Sequence, residues 1–279
     1  MAEFRRVIHW KGFDRFSVPH YQMVPMDEPR YVLLRDGKGL TVASGKPAAL
    51  KVTEVNAASL PAGDKDPIQA NDRIFKLEGK QWDIAFLEAR TGAGLVAASL
   101  ECDIKNRRNV ALAFNFLKDT GGHTTNRQPA ASTQWLRVIN GIFNGQANVY
   151  FRQTVSRWVA MTEDLGAVVR WSTIASEHEW DKVIARRDGS ADMNFFMVWN
   201  YEQGALNVVD GTDAGTLDGN CIFEDGAGSQ IGETMAHEIG HFLGCDDHYD
   251  AAKIHELMYG ITDSRGRHIG KEHANIVNP

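Results

Sequence analysis

The chain lacks several features that would place it among disulfide-stapled, membrane-spanning or nucleic-acid-binding proteins. It has three cysteines in 279 residues and no CxxC pair, which excludes a disulfide framework and a cysteine-cage zinc site. No run of about 18 apolar residues occurs, so we expect no membrane span, and no signal peptide is visible at the start. The net charge of −6 argues against nucleic acid as a partner, because phosphate binding requires clustered Lys and Arg.

What is present is an ordinary globular composition with an uneven distribution of charge. Hydrophobic residues make up 43% and charged residues 24%, which excludes a disordered or fibrous chain. Residues 202–256 contain twelve acidic residues and a single basic one, Lys253. Such a field can attract cationic substrates or divalent ions, although a solvated surface is the simpler interpretation.

Two patterns of hydrophobicity divide the chain. Residues 31–104 alternate between apolar and polar positions with turn residues between segments, as in Trp82, Ile84 and Phe86, which predicts five to seven strands of a β-sandwich. After the polar run 105–109, a buried strand is predicted over 110–117.

A helix follows that second strand signal. Ser132 is predicted to cap its N-terminus, and apolar positions at near-helical spacing continue toward Asn144-Gly145. Further strands are predicted at 148–155 and 193–199, and a late helix at 229–243. The sequence therefore predicts a multi-domain protein: an N-terminal extension at 1–24, an all-β sandwich at 25–104, and an α+β domain with a mixed sheet at 105–279.

The late helix carries an HExxH motif. His237 and His241 are four residues apart and project from one helical face, so both imidazoles can reach a single ion. Glu238 lies beside the first histidine, where its carboxylate can hold a water molecule without being a ligand. Zinc suits imidazole nitrogen, and three protein ligands leave a fourth position for water.

A third ligand is expected just beyond the helix. Gly244 can adopt the left-handed conformation that ends a helix and turns the chain back. The spacing favours Asp247 as this ligand. His248 and Asp246 are the alternatives, because zinc accepts carboxylate or imidazole and a shift of one residue in the loop would exchange them.

The segment HEIGHFLGCDD, followed by Leu257-Met258-Tyr259-Gly260, resembles the metzincin metallopeptidases, and its Asp variant is similar to the snapalysin and immune-inhibitor-A branches. The resemblance implies a zincin domain whose zinc ligands are the three residues His237, His241 and Asp247. It also implies that Glu238 is general base and acid and that Met258 forms the Met-turn. The implied activity is that of a zinc-dependent endopeptidase, in which Glu238 activates a zinc-bound water to hydrolyse peptide bonds of a protein substrate. Such a substrate is expected to lie extended along a sheet edge.

The stretch at 73–104, RIFKLEGKQWDIAFLEARTGAGLVAASLECDI, resembles the last strands of a bacterial immunoglobulin-like domain, which implies a spacer or binding module. The metzincin resemblance implies action outside the producing cell, as a secreted enzyme or a delivered toxin effector. A secretion apparatus and an inhibitor or immunity protein are then conceivable partners. The alternative function is a non-catalytic, zinc-stabilised binding or adhesion module with an immunoglobulin-like spacer.

Other chemistry-bearing residues receive plainer interpretations. The acidic, glycine-rich segment 210–220 invites a Ca²⁺ site but fails EF-hand spacing, so an acidic surface loop is preferred. Cys245 is expected to be a buried thiol or to pair with Cys221, and Cys102 does not match the cysteine-switch sequence of matrixin propeptides. Three histidines without partner spacing are expected at the solvated surface: His255, His268 and His273.

Overall fold

The computed structural model describes residues 1–171, 179–203, 214–217, 219–226, 230–260 and 266–279. The regular secondary structure of these residues is mostly β-sheet, partly mixed, with a few helices, which is consistent with the predicted α+β layout. The immunoglobulin-like and metzincin-like assignments stay predictions. None of the described helices is long and apolar enough to cross a membrane.

The described strands are β1 (Glu3–Arg6), β2 (Phe13–Asp14), β3 (His20–Pro25), β4 (Arg30–Arg35), β5 (Thr41–Ser44), β6 (Leu50–Val55), β7 (Arg73–Gly79), β8 (Asp83–Arg90), β9 (Val96–Lys105), β10 (Arg108–Lys118), β11 (Val149–Ala160), β12 (Val169–Trp171), β13 (Met193–Val198), β14 (Tyr201–Gln203), β15 (Ala214–Leu217) and β16 (Asn220–Glu224). The α-helices in the described part are α1 (Ser132–Ala147), α2 (Trp180–Ile184), α3 (Ile231–Phe242) and α4 (Lys271–Val277).

The chain divides into two compact units. The first comprises Met1–Arg108, Gly141–Tyr150 and His268–Pro279, and the second comprises Asn109–Asn140 and Phe151–Arg267. The sequence predicted contiguous segments instead, because hydrophobic periodicity reports neighbours along the chain and not the remote segments that fold beside them. The assignment of those segments as domains stays a prediction.

The first unit contains two sheets that share one hydrophobic core. One sheet has the order β1-β4-β7-β6 and is antiparallel throughout. The other has the order β2-β3-β9-β8-β5, in which only β3 and β9 are parallel. Side chains of both sheets form a single buried cluster that includes Phe4, Leu34 and Phe75 from the first sheet and Leu87 and Ile104 from the second.

Strand β8 has the predicted period of two, but its largest apolar side chains face away from the core. Trp82, just before the strand, is 59% exposed, Ile84 45% and Phe86 41%, whereas Ala85 and Leu87 are fully buried. The period determines which residues share a face, and the space available between the two sheets decides which face is buried. Hydrophobicity alone therefore does not identify the core face of this strand.

The second unit is built on a five-stranded sheet of order β11-β10-β13-β16-β15. Strands β10, β13 and β16 are parallel, and β15 pairs antiparallel with β16 at the edge. Residues 110–117 of β10 and all of β13 are buried. Central parallel strands are covered on both faces, which explains why these residues are apolar except for one buried asparagine in each strand, Asn115 and Asn194. The predicted strands at these positions are confirmed.

Helix α1 begins and ends differently from the prediction. Ser132 is itself helical and donates its hydroxyl to the Pro129 carbonyl, 2.8 Å away, because a short 3₁₀ turn precedes it; it is not an N-cap. The helix continues past Asn144-Gly145 to Ala147, and Asn148 then adopts a φ of 53°. Gly145 is therefore inside the helix and does not end it. A side chain at this position would collide with the Trp10 carbonyl oxygen, which explains why the residue is glycine.

Candidate metal centre

Helix α3 presents two histidines one turn apart from a largely buried face. His237 is 3% exposed, and the centres of the His237 and His241 rings are 4.7 Å apart. Their Nε2 atoms are separated by 3.2 Å. The helical spacing read from the sequence therefore places both imidazole nitrogens at one point.

Backbone carbonyls fix the orientation of both rings. His237 Nδ1 lies 2.9 Å from the Leu257 carbonyl oxygen, and His241 Nδ1 lies 2.9 Å from the Cys245 carbonyl oxygen. A carbonyl oxygen only accepts, so each Nδ1 carries a proton and each Nε2 keeps the lone pair that a metal requires. Both contacts are made by backbone carbonyls, which every residue carries, so they could not be predicted from the sequence.

The chain turns back toward the histidines immediately after α3. Gly244 has a φ of 103°, which a residue with a Cβ rarely adopts, and the Cys245 amide donates to the Gly240 carbonyl at 2.9 Å. This turn brings Asp247 Oδ1 to 3.3 Å from His237 Nε2 and 3.6 Å from His241 Nε2. Among the described residues no group donates a hydrogen bond to this buried oxygen.

The spacing of these three atoms fits a tetrahedral ion. Zinc bound at about 2.0–2.1 Å by ligands at tetrahedral angles requires ligand atoms about 3.3 Å apart. The observed separations of 3.2, 3.3 and 3.6 Å match that requirement. Two imidazoles and a carboxylate are also a donor set that zinc favours, so His237, His241 and Asp247 form a group that could bind a metal.

The two alternative third ligands, Asp246 and His248, have different surroundings from Asp247. Asp246 is exposed to solvent. The His248 imidazole is directed to Glu256, with Nε2 3.2 Å from the carboxylate Oε2. The structure thus brings Asp247 together with the histidines and gives His248 another partner; the ligand assignment itself stays a prediction.

Two further predicted residues surround the histidines. Glu238 lies on α3 next to His237 and is 7% exposed. Met258, 1% exposed, packs against the helix at Gly240, where an added Cβ would lie 2.3 Å from its Sδ. The sequence did not identify Gly240 as the residue that makes room for this methionine, although a glycine inside a helix is itself a signal.

The remaining predicted residues have mixed outcomes. Residues 204–213 and 218 lie outside the described residues, so the proposed calcium segment does as well. All three cysteines are buried and none forms a disulfide, which agrees with the buried-thiol alternative and not with a disulfide between Cys221 and Cys245. The surface prediction is wrong for His268, whose side chain is 13% exposed and lies 3.6 Å from Asp14.

A second group of potential ligands in the same unit has a structural explanation. The carboxylate of Asp119 accepts hydrogen bonds from the backbone amides of His123 and Leu165, at 2.8 and 2.9 Å, and lies 3.0 Å from His123 Nδ1. Asp164 accepts from the Gly166 amide at 2.8 Å. Burial raises the pKa of Asp119, but the hydrogen bonds from the Leu165 amide, the His123 imidazole and the His123 amide outweigh it and hold that pKa below its usual value. These hydrogen bonds account for the group without an ion.

No protein-family model matches the sequence, and a search of curated proteins finds no match either.

Proposed function

We propose that the protein is a zinc-dependent endopeptidase. The observation that carries this proposal is the convergence of His237 Nε2, His241 Nε2 and Asp247 Oδ1 within 3.2–3.6 Å of one another. A structural zinc site normally has four protein ligands, whereas three ligands leave a position open to solvent and substrate. Glu238, which is 7% exposed, directly follows His237 on α3.

In this proposal His237, His241 and Asp247 hold the ion. When bound, zinc would lower the pKa of a coordinated water toward 7 and polarise the scissile carbonyl. Glu238 accepts the proton that water loses on attack and then donates it to the leaving nitrogen. The Leu257 and Cys245 carbonyls keep both imidazoles in the tautomer that binds metal through Nε2.

Sheet topology supports a peptide as substrate. Strand β15 is the last strand of the five-stranded sheet in the order found for the described residues, and it packs against α3. An extended peptide can pair with an outer strand of this kind through backbone hydrogen bonds, independently of its sequence. A role outside the producing cell, and a spacer or binding role for residues 25–104, belong to the same proposal and rest on the resemblances alone.

The test is cleavage of casein by the full-length protein with and without a chelator. Chelation should abolish cleavage, and added zinc should restore it. Glu238→Gln should retain zinc and lose about 10²–10⁴-fold in turnover, the usual contribution of a general base. Glu233→Gln is a matched control, because Glu233 lies on the same helix, is also 7% exposed and pairs with Arg267 instead.

Three results would contradict the proposal. Full activity of Glu238→Gln would exclude Glu238 as the base. Zinc binding without cleavage of any protein substrate would favour the non-catalytic, zinc-stabilised binding module, and zinc-dependent hydrolysis confined to small amides would indicate a different substrate class.

A further inference from the structure

The two ends of the segment from Asp247 to Gly260 are joined by backbone hydrogen bonds. The His248 amide donates to the Met258 carbonyl at 3.0 Å, and the Gly260 amide donates to the His248 carbonyl at 3.0 Å. His248 and Tyr259 form an isolated parallel bridge, and their rings are 5.8 Å apart. The two ends of this segment are therefore held side by side.

A contact between an imidazole and a carboxylate joins the same two ends. His248 Nε2 lies 3.2 Å from Glu256 Oε2, and the side chains are only 20% and 5% exposed, respectively. A buried carboxylate left without such a partner is strongly unfavourable, so the two side chains are expected to stay together. This side-chain contact adds to the two backbone hydrogen bonds. Unlike them, it can be removed by substituting His248 or Glu256.

Each member of the pair is adjacent to a residue of the candidate metal centre. Asp247, whose Oδ1 faces the histidines, directly precedes His248. Leu257, whose carbonyl accepts from His237 Nδ1, directly follows Glu256. The distance between the His248 and Glu256 backbones therefore governs both the position of the Asp247 carboxylate and the orientation of the His237 ring.

We propose that His248 and Glu256 are a positioning pair for the metal centre, and that His248 acts in this way and not as a ligand. This inference rests on the metal centre of the proposed function. Asp247 lies on a loop beyond the helix end, and ligand atoms must be held to within about 0.5 Å for tight binding. The His248–Glu256 contact supplies that restraint between the two ends of the segment.

The test is metal affinity in the full-length protein, measured by competition with a chromophoric chelator for Zn²⁺ and by the visible absorption of Co²⁺. Glu256→Gln and His248→Gln should each weaken zinc binding about 10–100-fold, the usual effect of losing a partner that orients a ligand, and should alter the Co²⁺ spectrum. His241→Ala provides the reference for loss of a ligand. Asp246→Asn removes a charge on the exposed side of Asp247 and should bind like wild type.

A purely structural pair would lower the stability of the metal-free protein without moving the Co²⁺ spectrum or the zinc affinity of the folded fraction. If the two residues act as a unit, the double variant Glu256→Gln/His248→Gln should lose about as much zinc affinity as the more strongly affected single variant. It should not lose the sum of the two single effects. If Glu256→Gln does not fold, His248→Gln decides, since its side chain is the more exposed.

The outcomes separate this inference from the proposed function. Wild-type affinity and spectrum in both single variants would overturn the positioning role while leaving the metal centre intact. Tight zinc binding by wild type without peptide cleavage would overturn the peptidase alone. Failure of wild type to bind either ion would overturn both proposals.

Discussion

Replacing Gly240 by alanine should destabilise the protein, although alanine is the better helix former. An alanine Cβ at this position would lie 2.3 Å from Met258 Sδ, whereas non-bonded heavy atoms prefer about 3.5–4.0 Å, so one of them must move by more than 1 Å. Met258 is 1% exposed, and its surroundings offer little room for that movement. Overpacking of this kind costs about 1–3 kcal/mol and outweighs the gain of about 1 kcal/mol in helix propensity.

The assay is urea denaturation followed by far-UV circular dichroism. Gly141→Ala is the matched control, because Gly141 lies inside α1 and an added Cβ there would meet no atom within 4 Å. That variant should be stabilised by up to about 1 kcal/mol. Met258→Ala in the Gly240→Ala background removes the colliding sulfur, so the double variant should lose less stability than the sum of the singles. The reasoning is refuted if Gly240→Ala is as stabilising as Gly141→Ala.

The remaining predictions concern pH and thiol reactivity. Burial alone would raise the pKa of Asp14, but the His268 imidazole and two backbone amides lower it from 3.8 to about 2. Because its folded-state pKa is depressed, Asp14 stabilises the folded protein above about pH 4 and loses that effect as the pH falls toward 2. Asp14→Asn should therefore lower the free energy of unfolding by about 1–2 kcal/mol at pH 6 and by much less at pH 2, whereas an equal loss at both values would contradict the assignment. All three cysteines are buried, and burial raises the pKa of the Cys102 thiol. A thiol reagent should therefore modify no cysteine in the native protein and all three after denaturation. Modification of only one cysteine after denaturation would reveal a disulfide.

Much of the candidate site could be predicted from local sequence. His237 and His241 share a helical face because four residues are about one turn, and that relation holds wherever the helix lies. Gly244 was expected to turn the chain because only a residue without a Cβ adopts its conformation readily, and its φ of 103° agrees. The buried strands β10 and β13 could likewise be predicted from apolar runs, each interrupted by a single asparagine.

Other features depended on contacts between residues far apart in the chain. The sequence left Asp247, His248 and Asp246 as alternatives, because a loop of that length can present any of them. In the structure the His248 imidazole contacts Glu256, eight residues further along the chain, and the Asp247 carboxylate faces the histidines.

The amino-acid sequence by itself determined the helix, its histidine pair and the period of the strands, since each of these arises from residues within a few positions of one another. Only the tertiary structure decided which face of β8 is buried, that residues 141–150 and 268–279 belong with the first unit, and which carbonyls orient the imidazoles. These depend on the path of the backbone through space. That path follows from the packing of the whole chain and leaves no periodic signal in any one segment.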